Sequence, residues 1–411
     1  MNNKLLTIFI KNITNLSLNQ GLNIVVTLLI TPILFQRLGE EQYGLVNLSF
    51  SIVILLAIIV SYGYNLNGPK KIATLKNNFD KLNFLNKVIN VRIFIAVLVS
   101  IIIIIFFSYL GFFKNYWSIL FPSLIILFSE ALYPLFYLQG KDNLNSLMIL
   151  NACSKCIYFI LVYTLIKGYE DAYLANLFFG LSSFLIYLIF WVRHLRNEKY
   201  KWFKLNIFEI REALFENFNL FLSTVASQII VNGGIVILSN FVNNSELGQF
   251  SLAQRVGLIL RMIPTFLVQS VLQSSSRLNI SNKKSLNNYL DKVYVLGIIV
   301  TLFLALMLFF VSSWVVLILA GEYIEYSQNI LIIIGFIPFF SMLNFKNIVL
   351  ILINEKNELL NKAIWISAIF MIFISTFGSY YYGGYGLAYA LIFSELICYI
   401  VHSFLLKKEN L

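Results

Sequence analysis

Charge is what this sequence has least of. Of its 411 residues only 12% are Asp, Glu, Lys or Arg, and 59% are hydrophobic. Ordinary soluble domains carry about a quarter charged residues. No soluble core hides that much apolar surface, so the solvent must be lipid. Histidine is nearly missing, with His194 and His402 the only two. The three cysteines, Cys153, Cys156 and Cys398, lie inside apolar stretches. Cys153 and Cys156 share a helical face, but no cluster of thiols or imidazoles surrounds them, which weighs against metal or redox chemistry. Proline is scarce, six in all. No ten-residue alternation of apolar and polar residues is present, which argues against a β-barrel. Helices are then the structure that satisfies the backbone within lipid. A Walker A sequence is absent, so ATP hydrolysis is not encoded, and no cofactor is expected. The N-terminus shows no cleavable signal pattern, and its first apolar run is long enough to stay as a span.

What the sequence does have is long apolar runs. About 20 apolar residues cross a bilayer. Twelve such stretches are expected: 13–36, 44–66, 88–110, 116–138, 146–166, 172–192, 214–241, 247–274, 292–319, 328–353, 361–380 and 385–406. The expected fold class is therefore an all-α integral membrane protein. Basic residues in the connections set its direction. Twenty-two lysines and arginines fall in one alternate class of connection, including both ends of the chain. The other class holds only Arg37, Lys114 and Lys167. Both termini are therefore expected in the cytoplasm. This asymmetry accounts for most of the net charge of +11, and nucleic-acid binding is not needed to explain it.

The longest connection, 193–213, lies near the middle. It divides the chain into an N-terminal lobe (1–196, spans 1–6), a cytoplasmic linker (197–213) and a C-terminal lobe (214–411, spans 7–12). The halves look like a worn repeat. RLGEEQYGLVNLS follows span 1 and FVNNSELGQFSLA follows span 7; placing Gly44 over Gly248 also aligns Leu48 with Leu252. Six spans per half make the repeats parallel, which suits two bundles facing a cavity with alternating access. RLGEEQYGL itself reads as an outer turn, with Gly39 and Gly44 relaxing the backbone between two helices.

Polar residues at membrane depth are the best functional pointers. In span 8, Gln254, Arg261, Thr265, Gln269 and Gln273 fall along one side of a helix, with the cation near its midpoint. Arg255 lies nearer the outer face. Span 1 carries Asn12, Asn19, Asn23, Thr27 and Thr31. Span 7 carries Ser223, Gln228 and Asn232, and span 2 carries Asn47, Ser51 and Asn65. Any single Asn or Ser is more simply a hydrogen bond between helices. The full stripe with Arg261 is better read as the lining of a wet cavity. Glu130 in span 4 and Lys155 in span 5 are equidistant from their shared turn, so an ion pair is expected. Lys346 in span 10 and Glu395 in span 12 are a second candidate pair. For both, contact with substrate or a proton is the other reading. Arg92 is expected to snorkel toward the cytoplasmic surface.

RLGEEQYG, SELGQFSLAQR, AGEYIEYSQNILIIIGF and GGYGLAYA, in this order and spacing, resemble the Wzx family of O-antigen and polysaccharide-unit flippases in the MOP exporter superfamily. The layout matches along the whole chain; each motif is loose alone. The resemblance implies two six-helix lobes around a central cavity, MATE-like, in the bacterial inner membrane. It implies that an undecaprenyl-diphosphate-linked oligosaccharide moves from the cytoplasmic to the periplasmic leaflet. It also implies a cationic cavity, which Arg261 and Arg255 fit, with Lys346 and Lys155 next. Guanidinium grips a diphosphate through paired hydrogen bonds. Gln254, Gln269, Asn23, Asn19, Gln228 and Asn232 suit sugar hydroxyls. Tyrosine rings suit stacking on sugars, but 23 of them leave no way to choose. The partners implied are the lipid-linked oligosaccharide and membrane lipid, with a polymerase and chain-length proteins of the same pathway beside them. Coupling to an H⁺ or Na⁺ gradient is also open.

Three other classes fit the sequence less well. A MATE-type cation-coupled drug antiporter shares the layout but typically carries an acid in span 1 or 7; here only Glu216, at the start of span 7, qualifies. The lipid II flippase MurJ is usually longer by two spans. An O-antigen polymerase needs a large periplasmic loop, and this sequence has none.

Overall fold

The structure is a computed structural model. It describes residues 3–111, 113–281 and 283–409; the side chains of residues 1–20, 22, 23, 110, 207, 219, 273, 277, 280, 281 and 357 fall outside that description. Fifteen α-helices follow in order: α1 (Asn3–Ser61), α2 (Tyr64–Thr74), α3 (Asn78–Leu110), α4 (Trp117–Ser123), α5 (Ile125–Ala131), α6 (Leu135–Gly140), α7 (Leu144–Leu165), α8 (Ala172–Asn197), α9 (Ile207–Leu238), α10 (Asn244–Ser281), α11 (Lys283–Ala320), α12 (Glu325–Ile334), α13 (Ile337–Leu343), α14 (Phe345–Ile353) and α15 (Asn357–Lys408). No strand interrupts them among the described residues. The all-α membrane class read from the sequence is the class observed.

Ten helical runs among the described residues are long and apolar enough to cross a membrane. Two of them, Ile24–Thr74 and Glu358–Lys408, have 51 residues each. A straight helix of that length would run about 75 Å, against a hydrocarbon core of about 30 Å. Both break at a glycine: Gly39 (φ 75°, ψ 168°) and Gly383 (φ 54°, ψ −136°). A side chain at either backbone conformation would be strained. At Gly383 the chain doubles back. Gly378 and Gly386 face each other so closely that a Cβ on Gly386 would lie 1.8 Å from the Gly378 carbonyl oxygen. Eight residues apart on one straight helix they would be about 12 Å apart. The Glu358–Lys408 run therefore holds two spans, and with a second span in the Ile24–Thr74 run the ten runs are consistent with the twelve expected. Of the two glycines in RLGEEQYGL, only Gly39 leaves the helix; Gly44 is helical and buried, so the turn is tighter than a loop.

The fourth span of each half is not one helix. Span 4 is α4, α5 and α6 in series, and span 10 is α12, α13 and α14. The breaks are closed by 3₁₀-type bonds, Leu124 N to Phe121 O (3.1 Å), Tyr133 N to Glu130 O (3.1 Å), Phe336 N to Ile333 O (3.1 Å) and Asn344 N to Ser341 O (3.1 Å). Pro122, Pro134 and Pro338 sit within or beside them, where a missing N–H loosens the ladder.

The chain divides into two compact units, one of residues 37–233, the other of residues 1–36 with 234–411. In the first unit, α8 packs against α4, α5 and α7, and α2 lies along α6. The α2–α6 approach is close: a Cβ on Gly68 would fall 2.7 Å from the Phe136 Cβ. In the second unit, α10 is the central element, packed on α11 to α14. A cluster of Leu267, Val271, Leu290, Met342, Phe345 and Val349 fills the space between α10, α11, α13 and α14.

Candidate functional site

Buried charge in the first unit centres on Arg92 of α3, which does not snorkel; its side chain is 0% exposed. The guanidinium donates to Asn65 Oδ1 (2.8 Å), to Tyr133 O (3.3 Å) and to Ser61 O (3.4 Å). Its carbon lies 5.0 Å from the Phe136 ring centre and 5.8 Å from that of Tyr64. Asn65 in turn donates to Glu130 Oε1 at 3.1 Å. Trp191 Nε1 donates to Leu132 O at 2.7 Å. Leu132 and Tyr133 are the residues between α5 and α6 whose carbonyls the helix break frees. Arg92 and Trp191 thus satisfy backbone groups that lipid could not.

The expected Glu130–Lys155 ion pair is therefore replaced. Glu130 is engaged by Asn65 beside Arg92, and Lys155 lies over the Phe179 ring, 3.6 Å from its centre. The expected Lys346–Glu395 pair is replaced as well. Lys346 is paired with Asp291 of α11, and Glu395 with Arg261. Both errors share a cause. Depth was counted along straight helices, while Glu130 and Lys346 sit on the two broken spans, where each 3₁₀ turn shifts the face.

The second unit contains an ion pair between two of its long helices. Arg261 projects from α10 and Glu395 from α15, and their side chains meet in direct contact. Glu395 is buried and Arg261 partly so. Along the same helix face, one and two turns on, Thr265 and Gln269 are exposed, whereas Gln254 is buried at 5% and Arg255 is half-buried. The stripe is thus wet at its Thr265–Gln269 end and packed at its Gln254 end. Asn344, at the α13–α14 break, lies 3.1 Å from His402 Nδ1 and contacts Cys398 Sγ. The two cysteine and histidine positions therefore serve packing of α15.

Other expected lining residues divide by partner. Asn232 donates to Gln228 Oε1 at 2.9 Å, one helical turn away, and both are half-buried in the first unit. Asn47, Ser223 and Thr31 bond back to carbonyls of their own helices, a common use of such side chains within a helix. Asn19 and Asn23 lie outside the described side chains. Glu216 is bridged by Lys71 (3.1 Å) and Lys87 (3.6 Å), which supply its countercharge. Among the described residues no group of three or more metal-ligating side chains occurs.

This architecture and this sequence have relatives. The chain is similar to a putative O-antigen transporter of Shigella dysenteriae, 24% identical over 396 residues that cover 94% of this chain and 97% of that one. A putative O-antigen transporter of Escherichia coli strain K12 is 23% identical over 253 residues, 60% of each. Among solved structures, the lipid II flippase MurJ in an inward closed conformation superposes with a TM-score of 0.73 at 16% identity, covering 96% of this chain and 87% of that one. An inward-facing MATE multidrug transporter of the MOP superfamily superposes with 0.72 at 14% identity, covering 94% of each. The fold is therefore that of the MOP transporters. Residues 9–273, well over half the chain, match the pattern of polysaccharide biosynthesis proteins, and the chain belongs to that family.

Proposed function

We propose that this protein is a flippase. It carries a polyprenyl-diphosphate-linked oligosaccharide, undecaprenyl being the lipid implied, from the cytoplasmic to the periplasmic leaflet by alternating access. The observation that carries this reading is the Arg261–Glu395 pair at mid-span, continued by exposed Thr265 and Gln269. A lone guanidinium at that depth costs several kcal/mol, and Glu395 neutralises it while the site is empty. A diphosphate offers more charge and two sets of oxygens for the guanidinium fork. On arrival it displaces the carboxylate, and on release the carboxylate returns. Glu395 thereby keeps the site from holding its anion too tightly. An anion leaving an inside-negative cell gains about 2.3 kcal/mol per charge per 100 mV, which favours export. The names of the O-antigen relatives and of MurJ support a lipid-linked substrate. The drug-antiporter alternative finds less support, because Glu216 already has two lysine partners.

In a strain whose only copy is Arg261→Ala, surface polysaccharide is expected to fall at least tenfold while lipid-linked saccharide accumulates in the inner leaflet. Arg261→Lys is expected to retain part of the flux. Normal surface polysaccharide in the alanine strain, with the protein inserted at ordinary levels, would overturn the reading.

A further inference from the structure

A cavity of about 530 Å³ opens at one end of the second unit. Its walls include Glu246, Tyr326, Ser379, Tyr380, Tyr382 and Tyr385. Tyr326 donates its hydroxyl to Glu246, and the Gly384 amide meets both, at 3.0 Å from the tyrosine oxygen and 3.3 Å from the carboxylate. The Gly383 reversal sets this amide in place, and a Cβ at Gly383 would fall 2.5 Å from Glu246 Oε1. Tyr326 and Tyr385 stand edge to face, 5.0 Å between ring centres. Tyr380 and Tyr382 are 66% and 73% exposed at the rim. Ser379, only 1% exposed, also lines the cavity, and its hydroxyl has no partner among the described residues.

We infer that this cavity is a saccharide subsite that takes an uncharged sugar ring of the transported unit. Three properties separate it from the belt of tyrosines that membrane proteins place at headgroup level. It is concave. Its lining includes a carboxylate and a buried serine. And its hydroxyl, carboxylate and flat rings are the mixture of acceptors, donors and apolar faces that a pyranose presents in return. Its sign is opposite to that of Arg261. The connections that build it, 241–247, 319–328 and 380–385, contain no lysine or arginine and carry Glu246, Glu322 and Glu325. A diphosphate is repelled here, so the group that fits is the neutral sugar end. Those connections belong to the class poor in basic residues, which the flippase reading places on the periplasmic side; the identity of the ligand rests on that reading. Glu246 and Arg261 are 15 residues apart on α10, about 22 Å, a span that an oligosaccharide can bridge with its diphosphate at the arginine.

The test uses the full chain in lipid nanodiscs and the oligosaccharide freed by mild acid from the host strain's own lipid-linked pool. Saturation-transfer NMR is expected to show binding by the wild type. Tyr380→Ala with Tyr382→Ala is expected to weaken it about tenfold or more, and Glu246→Gln to weaken it severalfold. The two rim tyrosines are exposed, so their loss leaves the fold intact, and the double phenylalanine variant is expected to keep most of the binding. No transfer in the wild type, or transfer unchanged in the tyrosine and Glu246 variants, overturns the subsite. So does capture of tetramethylammonium in place of the sugar, which would make the cavity a cation cage. Failure of the flippase reading is seen separately, as normal surface polysaccharide in cells that lack the chain.

Discussion

At the scale of single residues, the charged side chains inside the membrane divide into two kinds. Arg92 is held by backbone carbonyls, by Asn65 and by aromatic rings, so its work is to close a broken helix. Arg261 is held by one carboxylate and is partly exposed, so it is free to exchange partners. Removing Arg92 takes away the cation that Asn65 links to half-buried Glu130. Arg92→Met is therefore expected to lower the unfolding midpoint in detergent, and Glu130→Gln in the same chain to restore most of it. A double variant no more stable than Arg92→Met would show that the two are not coupled. Arg261 and both glutamates were legible in the sequence as costly intramembrane charges, whereas Arg92 read as a snorkelling residue at the end of its span. Their partners were not, because pairing depends on which face each residue presents. A helix broken twice presents a different face from the straight one that residue counting assumes. The tyrosines illustrate the reverse case. Twenty-three were too many to choose among, and only the meeting of three connections singles out four of them.

At the scale of elements, glycine does what loops do in larger proteins. Gly39 and Gly383 each separate two spans within one continuous helical run. The sequence marked both places, RLGEEQYGL by its charges and YYYGGYGL by its glycines. It did not show how few residues the reversal at Gly383 takes. Gly378 and Gly386 then pack backbone on backbone, an approach open only to residues without a Cβ. Gly386→Ala is expected to force the strands of this hairpin apart and to cut the yield of folded protein several-fold, as read by size-exclusion chromatography in detergent. Gly21→Ala, where a Cβ meets nothing within 4 Å, is the control. Unchanged yield for Gly386→Ala would mean that the two spans diverge earlier than the close contact implies. The breaks in spans 4 and 10 were partly legible as prolines. Their recurrence at the same place in each half is structural support for the repeat that the worn motifs after spans 1 and 7 suggested.

For the whole molecule, the count of spans and the charge asymmetry of the connections are the most readable properties, because both follow from the cost of exposing backbone and charge to lipid. The compact units are less readable. Contacts divide the chain at residues 36 and 233, inside α1 and α9, whereas the linker at 197–213 is the only division that composition marks. Orientation remains a proposal with a direct check. In a chain whose cysteines are replaced by serine, Lys76→Cys is expected to be labelled by a membrane-impermeant maleimide only after cells are opened. Glu170→Cys is expected to be labelled in intact cells. The opposite pattern would invert the protein and place the tyrosine cavity on the cytoplasmic side.

The reversal at Gly383 has a mechanical consequence. Helices joined by a long loop slide past one another, and displacement of one is absorbed before it reaches the next. Here the two final spans meet backbone to backbone within eight residues of chain, which leaves no slack. Glu395 is twelve residues beyond that turn, on the same rigid rod. In the cycle proposed above, release of Arg261 by this carboxylate would move a rod whose other end carries the Gly384 amide, bonded to Glu246 and Tyr326. The last hairpin is then a strut, and the proposed exchange of anion at one end predicts a change of grip at the other.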